Sequence, residues 1–544
     1  MTTIFARIIL NIKLIHDHSL CPLTQPVEES TGVSREFKYL GGSIPPVLSC
    51  PAFLSLRSSS ERDTDKDVEV IVQNLLGEDG MEPKQQAEKV LSRVDVLALA
   101  FGAMIGWGWV VLAGEWIREA GLIGSVLAFV GGGIMVLFVG LVYSELTSAM
   151  PQTGGVTVFL ERALGYGWSF IASWAIALGY ISVVAFEAVA LPTVVDYLFP
   201  DYQVGYLWQV AGWDVYASWV GIGMAGSLIV TWINYRGIKQ AAFFQIVCTG
   251  LLTLIGLVLI IGGPLTVTPD HVSPAFTGGI AGLFGVLIMT PFMFVGFDVI
   301  PQTAAEINLP FKKIGRVLTL SVCMTVVWYI GIVYAVGRSL SPEEISRSSL
   351  PTADAMAALM NSPWGGTLLI IGGIGGILTS WNAFFVGGSR VLYVMARKGM
   401  LPEAFGRLHP KYHTPANAIL LIGVCSVIAP LFGEQTLLWL ANAGSLSIMM
   451  TYLLVSVSFV VLRKREPQLK RPFRAGESSW IGYGAVFTSL FLFILYLPSM
   501  PAALQWPYEW MILLLWWVLG LFYFYRGTRG KKERSQSAGS DQTA

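Results

Sequence analysis

Between Leu91 and Tyr525 the chain is a succession of apolar runs, each about as long as a bilayer is thick. A helix needs about 20 apolar residues to cross the hydrocarbon core. In lipid every backbone N–H and C=O must be satisfied within the protein, so such runs become helices. Twelve can be delimited: 94–117, 122–147, 168–195, 216–234, 240–263, 280–303, 315–337, 364–388, 415–432, 435–462, 480–498 and 508–525. The fold class this predicts is an all-α polytopic membrane protein with twelve transmembrane helices. Composition agrees, since 13% of the 544 residues are charged, against about 25% in a soluble domain. Zero formal net charge leaves no electrostatic footprint for nucleic acid. Cys21, Cys50, Cys248, Cys323 and Cys425 are scattered, without metal-type spacing, and read as packing residues.

Lysine and arginine set the orientation. One set of loops carries Arg162; Arg236 and Lys239; Lys312, Lys313 and Arg316; Arg390, Arg397, Lys398, Arg407 and Lys411; and six cations between Arg463 and Arg474. The alternate loops carry only Arg118, Arg338 and Arg347. The positive-inside rule puts the basic loops and both termini in the cytoplasm, beneath a plasma or inner membrane. Residues 526–544 are then a basic cytoplasmic tail. Residues 1–90 are polar and mixed in charge, and read as a disordered extension. Arg7, Lys13, His16 and Asp17 interrupt the opening stretch, which argues against a signal peptide. An alternative is that translation begins at Met81, because Gly77-Glu78 is encodable by a purine-rich ribosome-binding sequence.

Two of the runs are broken. Phe101–Trp109 carries Gly102, Gly106 and Gly108 in the middle of span one. Glycine weakens a helix, and a break at the midplane frees backbone groups that something must satisfy. The competing reading is that small residues let a neighbouring helix approach. Span six is broken too, by Pro291 and Gly296 within Thr290–Asp298. Spans one and six hold equivalent places in two five-span halves, and paired interruptions of this kind point to a midplane binding site in an inverted-repeat transporter.

Carboxylates inside spans are costly. Glu187, central in span three, therefore faces a partner or a cavity. It could carry a coupling proton, meet a substrate cation or make a structural hydrogen bond. Glu145 and Glu306 lie near cytoplasmic ends, where pairing with Arg162, Arg390 or Lys313 is expected. Met150–Gly155 turns the chain into a short amphipathic stretch, 156–164, and Ser341-Pro342-Glu343-Glu344 reads as a helix start.

Several ordered motifs resemble one family. They are the Gly106-Trp107-Gly108 break; Tyr143-Ser144-Glu145-Leu146 followed by Pro151, Gly154 and Gly155; and Asn234-Tyr235-Arg236-Gly237-Ile238-Lys239. They continue with Phe294-Val295-Gly296-Phe297-Asp298, then Ala304-Ala305-Glu306, Asn308 and Pro310; and Ser389-Arg390-Val391-Leu392-Tyr393 with Ala396-Arg397 and Gly399 to Pro402. Over roughly residues 92–525 the chain resembles the amino acid–polyamine–organocation (APC) permeases. The resemblance implies a leucine-transporter-type 5+5 inverted repeat, about 94–263 and 280–462, with two extra peripheral helices within 480–525. It implies a secondary active transporter moving an amino acid or related amine by alternating access, with no cofactor. Coupling to protons, to sodium or to a counter-substrate stays open.

An α-amino acid presents a carboxylate and an ammonium. The N–H groups of Gly106, Trp107 and Gly108, at the positive end of a half-helix, suit the carboxylate. The carbonyls of Met104, Ile105, Phe292, Met293 and Val295 suit the ammonium, and Gly296 lets a ligand approach the backbone. Asp298 resembles the acid at this place in cationic amino acid permeases, or else braces the second half-helix. Trp107 departs from the small residue usual in the family; its indole fills part of the pocket or packs against neighbours. Phe292, Phe294 and Phe297 include candidates for an aromatic gate. Oxygens of Gly102, Ile105, Gly376, Thr379 and Ser380 match the sodium site of this fold, while Leu252 stands near where some relatives carry a lysine instead.

Three other classes compete: an amino-acid-sensing protein of transporter descent, a membrane-embedded enzyme and a channel. No His-Glu-X-X-His pair, nucleophile elbow, phosphate loop or filter-like run supports the last two. Saturable counterflow of a labelled amino acid separates a permease from all three. For the start site, N-terminal sequencing of natively expressed protein should read from Met81 if the alternative holds; a sequence from Met1 rules it out.

Overall fold

Ser92 starts the first helix. Its Oγ accepts from the Asp95 N–H at 3.4 Å, and Asp95 Oδ2 accepts from the Ser92 N–H at 2.8 Å, so two end groups are satisfied reciprocally. This helix, α1 (Arg93–Met104), stops after 12 residues. That is about 18 Å, too short for a hydrocarbon core of about 30 Å. Ile105 leaves helical geometry at φ −99° and ψ 41°, and α2 (Gly108–Ala149) resumes the path. The first apolar run is therefore two half-helices. The computed structural model describes residues 89–266 and 274–540. The N-terminal extension, the Met81 start, Cys21, Cys50 and the tail side chains beyond Thr528 lie outside the described residues.

α2 also contains the whole second run. It turns at Gly121, where φ is 75° and an added Cβ would lie 2.7 Å from the Pro274 carbonyl, so conformation and space both require glycine. There follow α3 (Gly155–Leu164), α4 (Tyr166–Leu198), α5 (Ala217–Arg236), α6 (Ile238–Gly262), α7 (Gly279–Met293) and α8 (Val299–Gln302). After α9 (Phe311–Ser339), the loop helices α10 (Pro342–Arg347) and α11 (Pro351–Met360) lead to α12 (Pro363–Arg397). The chain closes with α13 (Ala416–Ile428), α14 (Thr436–Arg465), α15 (Trp480–Ile494) and α16 (Tyr508–Ser540). Ser341 caps α10 in a reciprocal pair with Glu344, as its sequence predicts.

Eight of the described helices are long and apolar enough to cross a membrane, and three shorter apolar ones, α7, α13 and α15, fall on remaining runs. The architecture is that of a polytopic helical membrane protein. Within it α4 and α12 are innermost: 89% and 83% of their apolar windows are buried, against 11% for α16. Polar side chains on α4 and α12 therefore face protein rather than lipid. One element went unread in the sequence. Residues β1 (Tyr206–Val210) and β2 (Trp213–Tyr216) pair as an antiparallel hairpin, turned by Ala211 and Gly212 at φ 48° and 84°. Positive φ at both central residues suits the right-handed twist of the strands.

The ionic ends differ in part from expectation. Glu306 does pair with Arg390, at 3.1 Å. Arg162 instead meets Glu466 at 2.7 Å, and that hydrogen bond holds the Glu466 carboxyl below its usual range. Glu145 takes neither Arg162, Arg390 nor Lys313. It is buried against Arg463 at 2.6 Å and Arg471 at 3.0 Å, and accepts from the Ala475 N–H at 2.7 Å. The cause is the segment after α14, which folds back under the end of α2; its carbonyls hold the two arginines, Ser478 O accepting from Arg463 at 2.6 Å and Leu469 O from Arg471 at 2.9 Å. Glu145→Gln would leave both guanidinium groups buried without their counter-charge. We expect a loss of about 3–5 kcal/mol, read as a lower melting temperature in detergent; an unchanged melting temperature contradicts this account.

Candidate functional site

A helix that ends in the apolar layer leaves its last carbonyls, and the first N–H groups of the next helix, without intrahelical partners. Side chains claim many of the α1 carbonyls. Ala98 O accepts from Gln245 Nε2 and Thr249 Oγ1, each at 3.3 Å. Gly102 O accepts from Thr379 Oγ1 at 2.9 Å, and Met104 O from the Tyr329 hydroxyl at 2.9 Å. Among the described residues, the N–H groups of Gly106 and Trp107 make no hydrogen bond to protein.

The second break turns through bonds from Phe294 N to Pro291 O at 3.2 Å and from Val295 N to Phe292 O at 3.3 Å. Gly296 then adopts φ 138°. At this glycine the two breaks touch. A Cβ on Gly296 would lie 2.7 Å from Ala103 Cβ and 3.0 Å from the Met104 nitrogen. Likewise, a Cβ on Gly108 would lie 2.7 Å from Met293 Sδ. A side chain on Gly296 would push the half-helices apart, whereas at Gly108 the end of the flexible Met293 side chain would have to move.

Glu187 of α4 stands beside the first break. Its carboxyl is buried, Oε1 accepts from Ser380 Oγ of α12, and Oε2 has no partner among the described residues. A Cβ on Gly106 would sit 3.1 Å from Ser380 Oγ and 3.7 Å from Glu187 Oε1. Gly106, Ser380 and Glu187 thus form one contact. A charged carboxylate buried with an open oxygen is costly, so this group must be protonated or meet a cation.

Thr379 and Ser380 also donate to Gly376 O, at 2.9 and 3.1 Å. Gly376 in turn faces the first break: its Cβ would lie 2.6 Å from Gly106 O and 3.4 Å from Ile105 O. Oxygens of Gly102, Ile105, Gly376, Thr379 and Ser380 therefore gather where α1 crosses α12. Both hydroxyls already donate to carbonyls, and a cation would replace those bonds.

Asp298 lies apart from this cluster. Oδ2 accepts from the Tyr180 hydroxyl at 2.6 Å; Oδ1 accepts from Tyr452 at 2.9 Å and from the Gly296 N–H at 3.0 Å. Both oxygens are occupied, which is the geometry of a brace between the second break, α4 and α14. Tyr180 precedes Glu187 by seven residues on one helix face, so the two acids differ in depth by about 10 Å.

The aromatic residues also sort. Phe294 packs on Phe129 and Tyr329 with centroids 6.1 and 5.6 Å away, and Phe297 on Tyr143 and Tyr452 at 5.5 and 5.3 Å; both are core. Phe292 is half-buried and meets Phe186, the neighbour of Glu187, at 6.2 Å. The Trp107 indole lies on Gly373 of α12, where a Cβ would collide with it, so the ring is packed in a slot. Trp109 packs edge-on against Trp328 at 5.6 Å. Met104 and Val295 are buried.

Sequence reasoning missed a polar chain behind α1. Asn234 donates to Asn382 at 2.9 Å, Asn382 to Gln245 at 2.7 Å, and Gln245 to Ala98 O. Buried amides within spans are the signal that could have found it. One open cleft of about 640 Å³ lies away from the breaks, between Tyr197, Leu350, Asp354, Asn361 and Thr367.

Comparison with known proteins agrees with this geometry. A family model described as amino acid permease matches residues 91–522. The branched-chain amino acid permease BcaP of Bacillus subtilis is 26% identical over 462 residues, 83% of this chain and 96% of the relative. The methylthioribose transporter of Bacillus subtilis is 25% identical, over 81% of this chain and 94% of its own. Its aspartate-proton symporter is 24% identical, over 75% and 79%. These relatives are transporters rather than enzymes. Paired helix breaks in a polytopic helical chain, and a family match running through both, lead to one conclusion: this chain belongs to the amino acid permeases of the APC superfamily.

Proposed function

We propose that the protein is a secondary active transporter that moves an amino acid or a related amine across the cell membrane by alternating access. In this reading the twelve apolar runs are twelve spans. Two inverted five-span repeats, about 94–263 and 280–462, are joined by two peripheral helices within 480–525, with residues 1–90 as an N-terminal extension. Both termini are cytoplasmic. The observation that carries the reading is the contact of two helix breaks beside a buried carboxyl with one open oxygen.

The substrate carboxylate docks on the N–H groups of Gly106, Trp107 and Gly108, at the positive end of α2. The ammonium docks on Ile105 O and on the carbonyls of Phe292 and Met293 that end α7. Phe292 and Phe186 form a wall of the pocket. Met104, Val295, Gly296 and Asp298 hold the breaks in place rather than touch substrate, since Tyr329, Tyr180 and Tyr452 engage them or their neighbours. Glu187 carries the coupling proton, a reading supported by its open oxygen and by an aspartate-proton symporter among the relatives. A second reading, sodium held by Gly102, Ile105, Gly376, Thr379 and Ser380, is favoured by the five oxygens gathered at the α1–α12 crossing.

Proteoliposomes test this directly. Saturable counterflow of a labelled amino acid is expected; its absence favours a sensor of transporter descent. Proton and sodium gradients imposed separately distinguish the couplings. Glu187→Gln should keep counterflow and lose acceleration by an inward proton gradient, whereas unaltered proton-driven uptake in this variant removes Glu187 from coupling. Gly106→Val and Gly108→Val should each abolish uptake while leaving membrane insertion intact. Normal uptake in both would put the site elsewhere.

A further inference from the structure

A groove and a cluster of cations meet at the junction of α5 and α6. Gly237 separates the two helices at φ 139°. Just before it, the exposed Arg236 holds its guanidinium over the Trp232 ring at 5.0 Å and the Tyr412 ring at 5.6 Å. Lys411 Nζ lies 5.5 Å from the same Tyr412 ring. Tyr412 is fixed in turn. It stacks on His409 at 4.8 Å, and His409 Nδ1 accepts from the N–H groups of Lys411 and Tyr412 at 3.2 Å. Thr414 Oγ1 ties this loop to Tyr235 O at 3.0 Å. Rings orient Arg236 and Lys411, and among the described residues neither forms an ion pair with a carboxylate. A guanidinium held this way presents its N–H fork to a phosphate.

Past Gly237 lies a groove of about 400 Å³, lined by Ile233, Lys239, Gln240, Phe243 and Phe244. It adjoins the cations: a Cβ on Gly237 would lie 2.7 Å from Gln240 Oε1 and 3.9 Å from Tyr412 O. Trp232 and Phe243 are 59% and 69% exposed, so this face of α5 and α6 is turned to lipid. Apolar walls that end at a cationic rim match a phospholipid, with a chain along the walls and a phosphate at the rim. A zwitterionic headgroup offers no net charge to cations gathered here, whereas an anionic one is drawn to basic residues near the surface.

We propose that the α5–α6 junction and the 409–414 loop bind one anionic phospholipid of the cytoplasmic leaflet. Its phosphate sits at Arg236 and Lys411, with Lys239 at the rim. One acyl chain lies along Ile233, Phe243 and Phe244. The site is separate from the helix breaks and does not depend on what the protein transports.

The test is a thermal melt of the purified full chain in neutral detergent, with added dioleoyl phosphatidylglycerol, dioleoyl phosphatidylcholine or inorganic phosphate. Phosphatidylglycerol should raise the melting temperature saturably, and the other two should not. The double variant Arg236→Gln/Lys411→Gln should lose that shift, and Lys312→Gln, at an exposed cation elsewhere, should keep it. If the double variant fails to fold, Lys411→Gln alone, in an exposed loop, should weaken the shift. Equal stabilisation by phosphatidylcholine, a shift produced by inorganic phosphate, or a full shift in the Lys411 and double variants overturns the proposal. The readout is melting rather than uptake, so it stands or falls apart from the transport experiments.

Discussion

Gly296 lays its backbone directly on Ala103 and Met104, and the arrangement of the candidate site follows from that contact. Two interrupted helices can share a midplane only if their backbones approach closely, and a side chain at the crossing would hold them apart. The crossing concentrates unsatisfied backbone groups in one small volume. Tyr329, Thr379, Gln245 and Thr249 then satisfy the α1 carbonyls that face neighbouring helices. Among the described residues the N–H groups of Gly106 and Trp107 are left without protein partners, and Gly106 lies beside Glu187 and Ser380. Protein on one side and open polarity on the other is how a binding site differs from a packing defect.

α4 and α12 act as paired supports for both breaks. Each carries a contact to the first break and, seven residues later or earlier, a contact to the second. On α4 these are Glu187 and Tyr180; on α12 they are Ser380 and Gly387, whose missing side chain makes room for Val299, just past the second break, 3.2 Å from where its Cβ would be. Seven residues is two helical turns, about 10 Å. The two carboxyls are therefore stacked in depth along the same supports, one with an open oxygen and one fully engaged. In the proposed mechanism that difference in hydrogen bonding, not residue type, lets Glu187 exchange a proton or a cation while Asp298 fixes geometry.

The breaks were legible in the sequence because glycine and proline inside an apolar run conflict with helix formation. Glu187 was legible because a carboxylate in an apolar run is too costly to face lipid and needs a partner or a cavity. Their contact was not, since Glu187 and Ser380 are 193 residues apart and meet only through the crossing of α4 and α12. The role of Asp298 turned on Tyr180 and Tyr452, which in an apolar run look like packing. Trp107 departed from its family's pattern, yet its slot is Gly373, far along the chain. The partner of Glu145 was misread because the segment after α14 folds back, bringing in Arg463 and Arg471. The hairpin at Tyr206–Tyr216 did carry a signal, alternating residues around Ala211-Gly212, but it is short and outside the apolar runs.

In the proposed mechanism the paired breaks hold the substrate. The most direct measurement is a cryo-electron microscopy structure of the purified protein bound to an amino acid that it exchanges. Density is expected between the breaks, with the carboxylate on the N–H groups of Gly106 to Gly108 and the amine toward Ile105 O, near Glu187. Density confined to the cleft beside Tyr197 and Asp354, with nothing between the breaks, would contradict it.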